Sequence, residues 1–392
     1  MKKKLSFLLL IISLKVSAQT PITSTEIALF GDHIFIHLSV DGSEPLDFIF
    51  DTGDGLPVID LDIAQELKLD LNHRASKTSA QGHITGALID HNTIELNGIE
   101  LESDIQLYAT SLRHLEMSIG RNVDGIVGYD LLEHYVVKLN YDNETFELYD
   151  PSTYVHEGGW ESFEFKLDNY IPHMCGVVTL NNGEQIDGDF FINTGAGTSL
   201  DFNTSFAKKN EILGKTGAHF SYPVTGLSKK ETTHYEGRVE GYGFGTFNFS
   251  KMPVGISTAK KGIQANKKVA GIMGNRLLKR FNITFDYSRG KVYFQKNSKF
   301  DEEFYINASG LYLQFDDRME KLLVHRIYDA SPARMVDIKI FAQVRGIEGR
   351  SVSEYTLPEI RELLSQANKE VELTLLQDGE EKIVKLSLRK MI

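Results

Sequence analysis

The chain has almost no cysteine and no apolar run long enough to cross a membrane. Cys175 is the only cysteine among 392 residues, so an intrachain disulfide cannot form and a zinc site made of cysteines is excluded. The apolar stretch at residues 5–14 is shorter than the roughly 20 residues that a spanning helix needs, and no later stretch is long enough. We therefore expect no transmembrane segment and a fold held by its hydrophobic core.

Acidic residues outnumber basic ones, with 54 Asp and Glu and 42 Lys and Arg, which gives a formal net charge of −12. This balance argues against nucleic acid and anionic membranes as partners. Residues 1–18 combine a lysine cluster, a short apolar run and the small residues Ser17 and Ala18, which is the pattern of a secretory signal peptide. We therefore expect residues 1–18 to be removed and the protein to be exported.

Most of residues 25–297 consists of short apolar runs separated by glycine and polar turns, which predicts a mainly β fold. An internal repeat organises this region. Residues 124–150 match residues 270–296, with Gly125 and Gly128 opposite Gly271 and Gly274. The segments "FIFDTGDG" at 48–55 and "FFINTGAG" at 190–197 recur at nearly the same offset. The sequence therefore predicts two tandem copies of one β lobe.

Each copy has an Asx-Thr-Gly turn at the end of an apolar strand, with Asp51 in the first and Asn193 in the second. Such a turn brings a polar side chain out of a hydrophobic wall into a cleft, and glycine lets the two backbones approach closely. Two carboxylates that meet there can share a proton, so that one activates water as a base and the other acts as an acid. An amide cannot exchange a proton in this way.

The paired turns and the repeated glycine segments "GIVG" at 125–128 and "GIMG" at 271–274 resemble the retropepsin-like aspartic protease fold, in the two-lobed form of pepsin-type enzymes. The resemblance covers about residues 25–297 and implies two β-barrel lobes, lobe 1 at 19–152 and lobe 2 at 153–300. It implies that Asp51 and Asn193 occupy the catalytic positions. The residues that it implies as support for the active-site loops are Thr52, Gly53, Thr194 and Gly195. It also implies hairpin flaps that contact substrate through Gly82, His83 and Gly226.

Asn193 leaves two hypotheses open. The first is an aspartic-type endopeptidase that hydrolyses peptide bonds with water activated by Asp51. The second is an inactive protein that kept the cleft and binds peptides. Without a second carboxylate at 193, we expect Asp51 to be ionised at neutral pH. Asp54, which follows the first turn, could raise a neighbouring pKa or point into solvent, and of the two we expect it to point into solvent. Two chains could instead pair their copies of Asp51, but the tandem lobes make a monomer the simpler arrangement.

Residues 301–392 differ in character and predict a separate small α+β domain. Thr356 and Glu359 have the spacing of a capping box ahead of an amphipathic helix, and an Asp-Gly turn joins two final strands. The region resembles a PDZ domain, in which a peptide end would bind along Gly310, Leu311, Tyr312 and Leu313. It departs from bacterial PDZ modules at Asp337, Phe341 and Ala342. Peptide capture and packing against the protease body both remain open.

The expected partners are therefore peptides or proteins, with possible peptide C-termini at the PDZ-like domain. His33 and His37 lie on one face of a strand, but no third ligand is near them in sequence, so we expect no metal site and no cofactor. The resemblance and residues 1–18 together favour a protein of the bacterial periplasm or the extracellular space.

Overall fold

The computed structural model describes residues 19–80, 82–228 and 230–392. The predicted signal peptide lies outside the described residues. The chain is mainly β and its sheets curve into barrels, so the predicted fold class is confirmed. In the part of the chain that the model describes, no helix combines the length and the apolar character that crossing a bilayer requires.

Lobe 1 is built mainly from strands, which range from 3 to 15 residues in length. Its strands are β1 (Thr23–Glu26), β2 (Ala28–Phe30), β3 (His33–Val40), β4 (Leu46–Phe50), β5 (Val58–Asp60), β6 (His73–Ser79), β7 (Gly82–Leu96), β8 (Ile99–Thr110), β9 (Gly125–Val127), β10 (Val136–Asn140) and β11 (Thr145–Tyr149). Its helices are α1 (Leu61–Glu66), α2 (Arg113–Ile119) and α3 (Tyr129–His134).

Lobe 2 repeats this plan. Its strands are β12 (Glu161–Glu164), β13 (Lys166–Asp168), β14 (Ile171–Thr179), β15 (Gln185–Asn193), β16 (Leu200–Phe202), β17 (Phe220–Thr225), β18 (Glu231–Phe244), β19 (Phe247–Ser257), β20 (Gly271–Gly274), β21 (Phe281–Asp286) and β22 (Lys291–Lys296). Its helices are α4 (Thr204–Lys209), α5 (Ile212–Lys215) and α6 (Asn275–Leu278), with short 3-10 helices at Ile263–Ala265 and Tyr287–Arg289.

The two lobes have the same topology. The lobe 1 sheet runs β2-β3-β4-β9-β5-β8-β7-β6 and the lobe 2 sheet runs β13-β14-β15-β20-β16-β19-β18-β17, with the extra pairings β3–β7 and β14–β18 in matching places. The sequence repeat is therefore also a structural repeat. A third sheet, β1-β11-β10-β21-β22-β12, joins the lobes, and Leu139 of β10 lies opposite Ile283 of β21 where the two copies meet. One hydrophobic core extends through both lobes.

The C-terminal unit has its own core, made of residues between Ala308 and Leu388. Its strands are β23 (Leu311–Phe315), β24 (Leu322–Ile327), β25 (Gln343–Ile347), β26 (Arg350–Ser351), β27 (Glu370–Gln377) and β28 (Glu380–Ser387), and its helix is α7 (Leu357–Leu363). Short 3-10 helices occur at Pro332–Met335 and Val352–Glu354. The main sheet runs β23-β24-β25-β27-β28.

Two local features of this unit follow from its sequence. Thr356 and Glu359 form the expected capping box at the start of α7, where Thr356 N–H donates to the Glu359 carboxylate at 2.6 Å. Phe341 has a φ of +67°, the left-handed region that favours glycine, and its side chain is 64% exposed. The turn before β25 thus keeps a backbone shape that its sequence does not favour.

Candidate active site

Asp51 and Asn193 sit at corresponding ends of two buried strands. β4 ends at the buried Phe50, and β15 carries the buried Ile192 immediately before Asn193. Each strand pairs in parallel with the glycine-containing strand of its own repeat, β4 with β9 and β15 with β20. Asp51 N–H donates to Val127 O at 2.8 Å, which fixes the first turn against β9. The fold therefore brings both Asx-Thr-Gly turns to the boundary between the lobes.

The two threonines lock the turns together through reciprocal hydrogen bonds. Thr52 N–H donates to Thr194 Oγ1 at 3.0 Å, and Thr194 N–H donates to Thr52 Oγ1 at 3.1 Å. Each hydroxyl then donates across the interface, from Thr52 to Ile192 O at 2.6 Å and from Thr194 to Phe50 O at 2.9 Å. All four bonds link residues from different lobes, and both threonines are fully buried. Thr52 and Thr194 thus position the site rather than react.

The two glycines bring each turn against the polar side chain of the other. A Cβ atom on Gly53 would overlap the Nδ2 atom of Asn193, and a Cβ atom on Gly195 would overlap the carboxylate of Asp51. The crossed contacts require glycine at both positions, because any side chain would push the turns apart. The structure therefore brings Asp51, Gly53, Asn193 and Gly195 into one compact cluster.

The orientation of the Asn193 amide follows from its hydrogen bonding. Its Oδ1 atom accepts a hydrogen bond from Ala196 N–H at 2.8 Å, within its own turn. The Nδ2 atom consequently lies on the opposite side, against Gly53 and close to Asp51. Asn193 therefore presents a hydrogen-bond donor, and not an acid, at the position opposite Asp51.

The Asp51 carboxyl is less acidic than a free aspartate. The pKa of Asp51 is raised from 3.8 to about 6, mainly by burial and further by the nearby Asp54 carboxylate. The N–H groups of Gly53 and Gly195 and the Lys77 ammonium lower this pKa and so oppose the shift. Gly53 N–H donates to Asp51 Oδ1 at 2.7 Å. A group with this pKa is mostly ionised at neutral pH and has the basicity that a general base needs there.

The expectation that Asp54 points into solvent is wrong. Asp54 is only 7% exposed and forms an ion pair with Lys77, whose ammonium also donates to Leu56 O at 2.6 Å. Lys77 belongs to β6, so a strand of the lobe 1 hairpin closes over the turn and removes Asp54 from water. A second carboxylate is thus present beside Asp51, but it lies at position 54 and is held by a cation. Its Oδ2 atom has no hydrogen-bond partner among the described residues.

Hairpins from both lobes cover a cavity of about 740 Å³ that contains Asp51 and Asn193 in its wall. The tip of the β6–β7 hairpin reaches lobe 2, where Ala80 O accepts a hydrogen bond from Gln264 N–H at 3.1 Å. The β17–β18 hairpin reaches lobe 1, where the carbonyl of Gly226 lies 3.0 Å from Nε2 of His114 on α2. The site is therefore covered from both sides, as the symmetry of the two lobes suggests.

The predicted flap residues take different places in this cover. Gly226 is part of the cavity wall, together with Ser79 and Ala80 at the tip of the first hairpin. Gly82 begins β7 and is buried, whereas His83 is exposed and lies 3.3 Å from Thr78 Oγ1. Within the described residues, neither Gly82 nor His83 belongs to the cavity wall.

The lobe 2 end of the cavity carries charged groups that sequence reasoning missed. Asp201 and Glu236 lie in its wall, and Arg276 is paired there with Asp32 at 3.0 Å. Burial raises the pKa of Glu236 to about 7, which Arg276 opposes. Asp201, Glu236 and Arg276 come from β16, β18 and α6, whereas Asp32 lies in the turn between β2 and β3. No local pattern in the sequence connects them. The same is true of Lys77, because only the folded hairpin brings it to Asp54.

The predicted peptide-binding residues of the C-terminal unit lie at the start of its sheet, and none of them belongs to the cavity wall within the described residues. Gly310 precedes β23, and Leu311, Tyr312 and Leu313 form its first three residues. Within the described residues, β23 pairs only with β24, so its other edge faces away from the sheet.

Comparison with known families adds one match. Residues 36–131 match the model of a family described as "Aspartyl protease", a range that contains Asp51 and most of lobe 1. A search of the curated proteins finds no match. The similarity of lobe 1 therefore supports a protease-like function, and it does not extend to lobe 2 or to the C-terminal unit.

Proposed function

We propose that this protein is an endopeptidase that cleaves peptide bonds with a single catalytic carboxylate, Asp51. The observation that carries the proposal is the setting of Asp51, a buried carboxyl with a pKa of about 6 in a covered cavity, opposite an amide donor. The match of residues 36–131 to aspartyl proteases supports the same reaction class. The substrate would be a peptide segment of a protein chain, held between the two hairpins.

In the proposed reaction, the Asp51 carboxylate takes a proton from a water molecule while the resulting hydroxide adds to the peptide carbonyl carbon. The Nδ2 group of Asn193 donates a hydrogen bond to the carbonyl oxygen as negative charge develops there. The protonated Asp51 then returns the proton to the leaving nitrogen as the carbon–nitrogen bond breaks. One residue thus acts first as base and then as acid, and the overall reaction consumes one water molecule.

Asn193 also favours the second function, a peptide-binding protein without turnover. Its amide is fixed by Ala196 N–H and can stabilise a bound carbonyl group as well as a transition state. The loss of a second acid removes a contribution that is typically about 10²–10⁴-fold in rate. A cavity that keeps its cover and its hydrogen-bond donor could then hold a peptide intact.

The two functions are separated by cleavage of a diverse peptide mixture, read by mass spectrometry, with wild type, Asp51→Ala and Asn193→Asp. Cleavage by wild type that is lost in Asp51→Ala is the expected result. The matched change Asn193→Asp restores a carboxylate pair without enlarging the side chain. A silent wild type with an active Asn193→Asp variant would show that the site has lost its turnover and would favour the binding function.

A further inference from the structure

The C-terminal unit contacts lobe 1 through helix α2, whose other face borders the cavity. Arg113 Nε donates to Asp317 O at 2.6 Å, and Arg361 of α7 donates to Ser118 O at 2.5 Å. Ser118 and Ile119 of the same helix lie in the cavity wall. A single short helix is therefore shared between the C-terminal unit and the candidate active site.

The end of α2 fills the space between β23 and α7. A Cβ atom on Gly120, which closes α2, would approach Leu357 of α7 to 2.8 Å and Phe315 of β23 to 3.4 Å. Arg361 joins the two sides, because the guanidinium that contacts Ser118 O also donates to Leu313 O at 3.4 Å. This space, bounded by β23 and α7 and here named the groove, is where a peptide would add to the free edge of β23. Lobe 1 already occupies it.

The backbone N–H groups of the loop before β23 already donate hydrogen bonds to side chains of the same loop. Asn307 Oδ1 accepts hydrogen bonds from Gly310 N–H at 2.7 Å and from Ser309 N–H at 3.0 Å. Leu311 N–H donates to Ser309 Oγ at 3.0 Å. These N–H groups are the ones that a peptide carboxylate would need, so a chain end would have to displace a side chain of the protein itself.

The same unit also holds the hairpin that covers the cavity from lobe 2. Arg326 donates to the Glu231 carboxylate at 3.1 Å, and the rings of Tyr328 and Phe220 stack with their centroids 5.1 Å apart. The tip of this β17–β18 hairpin meets α2 at His114. The C-terminal unit thus contacts both elements that close this side of the cavity.

We propose that the groove of the C-terminal unit is an internal docking site whose ligand is the protein's own α2, and that the unit acts as a clamp on the cavity wall instead of capturing peptide ends. Filling the groove from within leaves the outer edge of β23 and the N–H groups of the preceding loop unavailable to a peptide end. The clamp fixes α2 and the β17–β18 hairpin against each other. The inference goes beyond the proposed reaction and does not depend on turnover.

The first test is amide hydrogen exchange of the full chain in wild type, Arg361→Gln and the matched control Arg345→Gln. Arg345 is exposed on β25 of the same unit. Loss of the Arg361 bond is expected to speed exchange at residues 113–120 by roughly fivefold, because one hydrogen bond shifts a local opening equilibrium by about that factor. The control should leave the rate unchanged. Equal exchange in all three proteins would overturn the clamp.

A second variant, Arg113→Gln, and a peptide-binding measurement test the same proposal independently of Arg361. Arg113→Gln removes both the Asp317 contact and the ion pair with Glu116 within α2, so it should speed the same segment more than Glu116→Gln, which loses only that ion pair, even where Arg361→Gln fails to fold. A fluorescent decapeptide with a free C-terminal carboxylate should bind wild type no more tightly than its C-terminal amide, because binding in the cavity does not need the carboxylate. Carboxylate-dependent binding to wild type would mean that the groove is open and would refute the proposal. Both readouts work equally well on a protein that does not cleave peptides.

Discussion

Replacing Asp51 with asparagine is expected to stabilise the protein at neutral pH while it abolishes cleavage. Burial raises the pKa of Asp51 from 3.8 to about 6, so the folded protein disfavours the ionised carboxyl. A carboxyl with a pKa of about 6 when folded and about 3.9 when unfolded costs at most about 3 kcal/mol of folding free energy once ionised. The folded state binds this proton more tightly, so stability falls as the pH rises from about 4 to about 6 and levels off above.

The assay is urea unfolding of wild type and Asp51→Asn at pH 7 and at pH 4. The variant should be more stable by up to about 3 kcal/mol at pH 7, and the difference should become small at pH 4, where Asp51 of the folded protein is protonated. Asp301→Asn is the control, because Asp301 is exposed and its replacement should change little at either pH. An Asp51→Asn protein that is no more stable than wild type at pH 7 would show that the fold does not disfavour the ionised Asp51 carboxyl.

Three further outcomes test other parts of the site and the fold. Asp54→Asn removes the carboxylate that raises the pKa of Asp51 and leaves the Lys77 cation, so the acid limb of the pH–activity profile should move to lower pH. Thr194→Val removes two hydrogen bonds between the lobes and should lower the free energy of unfolding by about 2 kcal/mol or more. Thr194→Ser keeps the hydroxyl and should lower the free energy of unfolding by less. Phe341→Gly removes the strain of a side chain at a left-handed φ. It should therefore be more stable than Phe341→Ala by about 1 kcal/mol in urea unfolding. The reverse order of stability would show that the backbone at Phe341 is not strained.

The features predictable from the sequence are those encoded locally and repeated. The Asx-Thr-Gly turns and the glycine segments recur along the chain because each lobe must bring one turn to the interface. Glycine is needed wherever the backbones touch, as Gly53 and Gly195 show. The mainly β fold class follows from the same strand and turn pattern. These patterns can be recognised in the sequence without knowing which distant residues are in contact.

The features that sequence reasoning missed depend on distant contacts. Asp54 looks like an exposed turn residue, and only the later strand β6 brings Lys77 over it. Helix α2 was missed, although Leu112, Leu115 and Ile119 have helical spacing that a search for single turns could find. Its burial between lobe 1 and the C-terminal unit stabilises a helix that its own length would not.

The most direct test of a single catalytic carboxylate is kcat/KM of the wild-type protein for one cleaved peptide between pH 4 and pH 8. If Asp51 is the only catalytic carboxylate, the profile follows the ionisation of one group with a pKa of about 6, and kcat/KM at pH 5 should be roughly tenfold below the plateau at neutral pH. Activity that is greatest near pH 4, or a folded protein that cleaves no peptide at any pH, would contradict the account.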